Sequence, residues 1–256
     1  MKIETIKTGS TLVSSAVPDR CTHKSRLAYT GFFQKRSKRI SVPVKCFYVT
    51  VGEHSFLIDA GWSLAVTEKP IKHLGLGLWF ASEPVMNPAE AAVNRLQYRP
   101  LDAILMTHLD GDHVSGLKDF PGIPVYAAQQ EIDYAKAQFI RYAGLSKGLS
   151  FNALSFKADK AAPFGLSFDV FGDGTVTAYL TPTHSAGSVI YKISDGAAFA
   201  LVVGDNGYTE SSWEEGILPG IVYNEANMCD CLEWIKRERT KPECTCVYCA
   251  HDPIDR

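Results

Sequence analysis

The chain of 256 residues contains no uninterrupted apolar run of the roughly 18 residues that a membrane helix needs, so a membrane is not expected as a partner. Behind Met1-Lys2-Ile3-Glu4-Thr5-Ile6-Lys7 there is no apolar core of a secretory signal, which predicts a soluble, cytoplasmic protein. An excess of positive charge is also missing. The net charge is −2, without the basic footprint that a nucleic-acid partner demands. The one basic cluster, Lys35-Arg36-Ser37-Lys38-Arg39, reads as a solvated loop or strand edge, or as a clamp for an anionic substrate tail. Low-complexity tracts, short repeats and linkers are absent, which predicts one domain over residues 1–256. The seven cysteines include Cys246 and Cys249 at a two-residue spacing, but no second spaced pair completes a zinc ribbon. Buried reduced thiols are the expectation, as suits a reducing compartment.

Hydrophobic residues make up 46% of the chain, enough for a large core. Val42–Val51 and Ser55–Ile58, joined at Gly52-Glu53, read as an antiparallel hairpin. Residues 62–86 lack periodicity and read as an irregular excursion that could cover a site. Its Trp62, Leu64, Leu74, Leu76, Leu78, Trp79 and Phe80 could wall an acyl chain or simply pack onto the core. Asn87-Pro88-Ala89-Glu90 carries the signals of a helix start, and Pro100 closes that helix. Strands follow at Leu101–Thr107 and Pro124–Ala127, then a helix from Ala128 to Tyr142 and an irregular stretch over 143–166. Four strands are expected between Ser167 and Val203, with turns at Gly172-Asp173-Gly174 and Asp195-Gly196. A helix over 225–239 and a strand at Cys244–Ala250 end the chain. Strand blocks alternating with helices predict sheets sandwiched by outer helices.

The densest chemistry is His108-Leu109-Asp110-Gly111-Asp112-His113, placed where the Leu101–Thr107 strand runs out. Four potential metal ligands in six residues of a buried loop are costly unless a cation neutralises them. Three further candidates lie at later strand ends: His184, Asp205 and His251. Taken singly, His184 reads as a hydrogen-bonded loop histidine, Asp205 as a turn residue and His251 as a terminal residue. Together the seven form a set able to hold two divalent ions, with a carboxylate reaching both.

The order of these residues resembles the metallo-β-lactamase superfamily, whose pattern is a His-x-His-x-Asp-His loop, a later His, a bridging Asp and a final His. Here the pattern is His108-x-Asp110-x-Asp112-His113, then His184, Asp205 and His251, preceded by the strand-end Asp59-Ala60-Gly61. The resemblance spans about residues 40 to 252. It implies an α/β fold, a four-layer αβ/βα sandwich with metals at the edge between two sheets. It also implies that His108, Asp110 and His184 hold one ion, that Asp112, His113 and His251 hold the other, and that Asp205 bridges them. Asp59 is then a candidate to orient a ligand imidazole, a loop hydrogen bond being its other reading.

Within the superfamily, Gly204-Asp205-Asn206-Gly207-Tyr208 and the block Arg39–Phe47 are similar to the N-acyl-homoserine lactonases. That branch carries a tyrosine three residues after the bridging carboxylate, near the substrate carbonyl; a packed core aromatic is the other reading of Tyr208. The implied activity is hydrolysis of a lactone or related small-molecule ester, with Asp112 and Tyr208 as catalytic residues. Zinc is the first metal expected. The family's usual histidine is Asp110 here, which replaces a neutral nitrogen with an anionic oxygen and admits iron or manganese. Di-iron redox proteins of the superfamily carry a carboxylate in that slot, so redox chemistry is a rival reading. A non-catalytic metal or ligand-binding module is another.

Overall fold

The computed structural model describes residues 1–22, 25, 27–32 and 34–254. Its first sheet contains β1 (Lys2–Val13), β2 (Ile40–Val51), β3 (His54–Ile58), β4 (Glu83–Val85), β5 (Ala103–Leu105), β6 (Val125–Ala128) and β7 (Asn152–Leu154), in the order β4-β1-β2-β3-β5-β6-β7. Its second contains β8 (Lys157–Ala158), β9 (Leu166–Asp169), β10 (Val176–Leu180), β11 (Val189–Ser194), β12 (Phe199–Gly204) and β13 (Cys244–Cys249), in the order β13-β12-β11-β10-β9-β8. The helices among the described residues are α1 (Ala65–Glu68), α2 (Pro70–Ala81), α3 (Ala92–Leu96), α4 (Gly111–Val114), α5 (Gln129–Ala137), α6 (Phe139–Tyr142), α7 (Glu210–Glu214) and α8 (Glu225–Arg239). None is long and apolar enough to cross a membrane.

Side chains alternate across a strand, and that alternation builds the layers. Phe47, Val49 and Val51 of β2, Phe56 and Ile58 of β3, and Ala103 and Leu105 of β5 point into the space between the sheets. There they meet Val176, Ala178 and Leu180 of β10, Val189, Tyr191 and Ile193 of β11, and Val202 of β12. The alternate residues Cys46, Tyr48, Leu57 and Ile104 face outward and pack with Leu74 of α2, Leu96 of α3 and Ala135 of α5. On the far side, Leu201 and Val203 pack with Met228, Cys231, Leu232 and Ile235 of α8. The result is four layers, helix-sheet-sheet-helix, as expected from the sequence.

Strands β3, β5, β6 and β7 run parallel, as do β12 and β13 across the α8 crossover. The carboxyl ends of these strands therefore deliver the site residues: Asp59 and Asp205 directly follow β3 and β12, and His108 and His251 lie in the short segments just past β5 and β13. The chain turns tightly there. Asp59 takes φ 58° and Gly61 φ 65°, and Ala60 N–H donates to His113 O at 2.9 Å. Gly116 N–H reaches Gly61 O at 2.9 Å, so two backbone segments lie against each other beneath the site loop.

Several local expectations are corrected. Residues 2–13 form a long strand not anticipated from the sequence, because Thr8 and Thr11 are buried polar residues that break the apolar alternation. Residues 62–86 are not irregular: they form α1, α2 and β4, with Pro70 opening α2 and a break at Gly75, where φ is 75°. The Asn87–Glu90 capping box is present, but it starts only a single 3-10 turn at Pro88–Glu90. Extended backbone at Ala91 then separates that turn from α3. The expected helix from Ala128 to Tyr142 is divided at Gln138 into α5 and α6. The 143–166 stretch contributes the short strands β7 and β8. All seven cysteines are free thiols, as expected, but they are not all buried: Cys21 and Cys229 are exposed and Cys246 is half-buried. The basic cluster is exposed over residues 35–38, as expected of a solvated loop, while Arg36 pairs with Glu83 and Arg39 lies 4.6 Å over the Phe80 ring.

A Cβ on Gly116 would meet Ala60 O at 2.2 Å, whereas one on Gly77 would meet nothing within 4 Å. Gly116→Ala is expected to destabilise the protein by about 1–3 kcal/mol, lowering the thermal midpoint by about 2–4 °C per kcal/mol. Gly77→Ala in α2 should be neutral or slightly stabilising. Thermal unfolding of the two variants checks both.

Candidate metal centre

The seven predicted ligands converge, as two groups that share Asp205. His108, His184 and Asp205 form one compact cluster of potential ligand atoms, and Asp112, His113 and His251 the other. Asp205 faces both. Its Oδ2 lies 3.9 Å from His108 Nε2 and 3.7 Å from His184 Nε2. Its Oδ1 lies 3.3 Å from His113 Nε2 and 3.2 Å from His251 Nε2. Asp112 Oδ2 completes the second group, 3.5 Å from His251 Nε2. Ligands of one tetrahedral ion with bonds of about 2.0–2.2 Å stand about 3.3–3.6 Å apart, so these spacings suit coordination.

Each imidazole is aimed by its other nitrogen. His113 Nδ1 donates to Asp59 Oδ2 at 2.8 Å. Asp59 also accepts from Thr107 N–H at 2.8 Å and from the Thr107 hydroxyl at 2.7 Å. That hydroxyl, its proton committed to Asp59, accepts from His108 Nδ1 at 3.0 Å. His184 Nδ1 donates to Ile221 O at 3.1 Å, and His251 Nδ1 to Pro43 O at 2.8 Å. Backbone carbonyls can only accept, so each Nδ1 carries hydrogen and each Nε2 faces the centre, where it can offer a lone pair once it is deprotonated. His108 Nε2, His113 Nε2 and Asp205 Oδ1 are buried without a hydrogen-bond partner. Orphaned buried polar atoms of this kind are costly, and divalent cations at the two groups would satisfy all three.

Charge balance reinforces the fit. Burial favours the neutral form of Asp205, but His251 and His113 outweigh it and hold the carboxyl well below the usual range. Burial likewise opposes the charged form of His113, yet Asp59, Asp205 and Asp112 hold its pKa well above normal. His251 is raised in the same way, with Asp205 and Asp112 overcoming burial. Burial lowers His184.

Asp110 is placed at the first group, with Oδ2 2.8 Å from His184 Nε2 and 3.5 Å from His108 Nε2. It has a partner that sequence reasoning missed. Arg141 of α6 grips it with two hydrogen bonds, Nε to Oδ1 at 2.8 Å and Nη2 to Oδ2 at 2.7 Å. Against the burial that would raise it, this guanidinium and the two histidines keep Asp110 well below the normal carboxylate pKa. Glu131 of α5 was also missed. Its buried carboxylate accepts from Leu109 N–H at 3.0 Å and Tyr142 O–H at 2.8 Å on one oxygen. The other oxygen accepts from Ser185 O–H at 2.5 Å and Gly187 N–H at 3.2 Å. It thereby ties two loops of the site to α6. No local signal marks Glu131 or Arg141, since each sits in a sequence typical of an exposed helix.

Tyr208 is buried, its ring stacked on His251 at 4.9 Å and packed with Val13, Val17 and Val42. Burial, with Asp205, Asp112 and Asp110 nearby, pushes its pKa well above the usual value, so it keeps its proton. Leu78 of α2 lies over the site loop, where a Cβ on Gly111 would meet it at 2.7 Å. Trp62 and Leu74, by contrast, are core residues.

Four layers with seven candidate ligands gathered at one sheet edge are the arrangement of a class of metal-dependent enzymes. The chain belongs to the metallo-β-lactamase superfamily, whose family model matches residues 40–251. Two curated relatives are similar over most of their length. The N-acyl homoserine lactonase AttM of Rhizobium radiobacter is 26% identical over 226 residues, 83% of this chain and 82% of the relative. AttM of Azorhizobium caulinodans is 28% identical over 228 residues, with the same shares covered. Among solved structures, an N-acyl homoserine lactone hydrolase with N-hexanoyl-L-homoserine at its catalytic metal centre superposes with a TM-score of 0.75 at 19% identity, over 98% of this chain and 93% of that one. AidC, a dizinc quorum-quenching lactonase, gives 0.64 at 14% identity, over 98% and 87%.

The raised pKa values of His113 and His251 mean that, in the metal-free protein, protons compete for nitrogens that a cation needs. Metal uptake should therefore release protons, and affinity should fall as the pH is lowered. Calorimetric titration in buffers of different ionisation enthalpy measures the release; a heat independent of buffer would contradict it.

Proposed function

We propose that this protein is a metal-dependent hydrolase that opens a lactone, or cleaves a closely related small-molecule ester. The observation that carries the proposal is Asp205, which turns one oxygen to each of two groups of inward-facing ligands. The relatives named N-acyl homoserine lactonase support the substrate class. His108, Asp110 and His184 would hold one divalent cation, Asp112, His113 and His251 the other, with Asp205 shared. Zinc is the first candidate, and the anionic Asp110 extends the choice to iron or manganese. Such a pair of cations supplies Lewis acidity toward the carbonyl and a nucleophile derived from water at neutral pH.

The chain's own residues do the rest. The Asp112 carboxylate takes the proton of the attacking water and returns it to the leaving alkoxide oxygen. The Tyr208 hydroxyl, kept protonated by its surroundings, donates to the oxyanion that develops on the substrate carbonyl. Stacking on His251 fixes the phenol ring beside the ligands. Leu78 excludes water above Gly111, and the exposed Leu76 and Phe139 offer apolar surface for an acyl chain nearby.

Turnover of a panel of lactones and thioesters, with metal analysis of the same preparations, tests this reading. Lactone turnover should vanish on chelation and return with added metal. Asp205→Ala should lose most bound metal. Tyr208→Phe should keep its metal and lose on the order of 10² in kcat. Full metal content and activity in Asp205→Ala would contradict the assignment.

A further inference from the structure

We infer that Arg141 is a built-in competitor for the first cation position, so that the two positions fill unequally and the Asp112–His113–His251 position fills first. The inference rests on the two-position centre proposed above. It starts from an awkward contact. His184 Nε2 and Asp110 Oδ2 are 2.8 Å apart, yet both are acceptors, because His184 has already committed its Nδ1 hydrogen to Ile221 O. Two acceptors at that distance repel unless a positive group joins them. Arg141 Nη2 supplies it, at 2.9 Å from His184 Nε2 and 2.7 Å from Asp110 Oδ2.

An imidazole nitrogen has one lone pair. The lone pair of His184 cannot serve a guanidinium hydrogen and a metal ion together. A cation entering the first position must displace Arg141 from His184 and accept a like charge close by. Among the described residues the second position carries no such occupant: His113 Nε2 and Asp205 Oδ1 have no hydrogen-bond partner, and Asp205 pairs there with imidazoles rather than with a guanidinium. Arg141 is well anchored as a competitor. Its Nη1 donates to His184 O at 3.2 Å, and its guanidinium lies 5.2 Å from the Tyr142 ring centre. The helix that delivers it, α6, exposes Phe139 and Ile140 on its outer side, so an apolar ligand settling there would press on the segment that holds the guanidinium.

The test is a titration of metal-stripped full-length protein with zinc alone, against a chromophoric chelator, resolving the stepwise affinities. The wild type should bind one ion tightly and a second at least tenfold more weakly. His251→Ala should remove the tight step and His184→Ala the weak one. In Arg141→Gln the weak step should tighten at least tenfold while the tight step stays put. Arg141→Lys, which keeps a charge without the planar fork, should fall between, and serves should the glutamine variant misfold. Equal affinities in the wild type, or a weaker second step in both Arg141 variants, would overturn the inference, making Arg141 a support for Asp110; the hydrolase reading would survive. A wild type that binds no zinc would overturn both.

Discussion

The site depends on the Nδ1–H groups of four histidines. Each is fixed to an acceptor outside the centre, and so each Nε2 lone pair is turned toward the same small space. Carboxylates alone would not define such a site, since a carboxylate can rotate to find other donors. An imidazole bonded at one nitrogen has its second direction decided. The acceptors come from β2, the β3 and β5 ends and the segment before α8, so the centre forms only when both sheets are in register. Folding and metal binding are thereby linked: a slip in either sheet would turn an imidazole away.

Two buried acids make the arrangement rigid. Asp59 holds the Thr107 backbone and hydroxyl and the His113 ring at once, in a left-handed backbone conformation that non-glycine residues seldom adopt. Strain of that kind persists where surrounding bonds over-determine it. Glu131 does for the loops what Asp59 does for the strand ends, drawing Leu109, Ser185 and Gly187 to one carboxylate. Gly187 allows the approach, since a Cβ there would lie 2.1 Å from Glu131 N. Around this frame the negative charge is large, and among the described residues Arg141 is the fixed cation that meets it.

The candidate ligands are legible in the sequence because they occur as short patterns at the ends of apolar runs. His108 to His113 is compact enough to be seen alone, and His184, Asp205 and His251 gain meaning from their order after it. The layers were legible for a similar reason: β10, β11 and β12 are apolar and bounded by turns. Strand β1 was not, because its buried Thr8 and Thr11 read as solvent-facing. Helix α2 was not, because its glycines and Pro70 imitate a loop; the proline is in fact its first residue. The partners that orient the ligands were hidden most deeply. Carbonyls of Ile221 and Pro43 carry no side-chain signature, and Arg141 and Glu131 become site residues only when distant segments meet.

Anomalous diffraction from crystals grown with zinc, recorded on both sides of its absorption edge, tests the central claim most directly. The account predicts a peak within about 2.0–2.2 Å of Asp112, His113, His251 and Asp205 ligand atoms, with any second peak between His108 and His184 on the other Asp205 oxygen. Peaks confined to the protein surface, or Nε2 atoms turned away from Asp205 into bonds of their own, would contradict it.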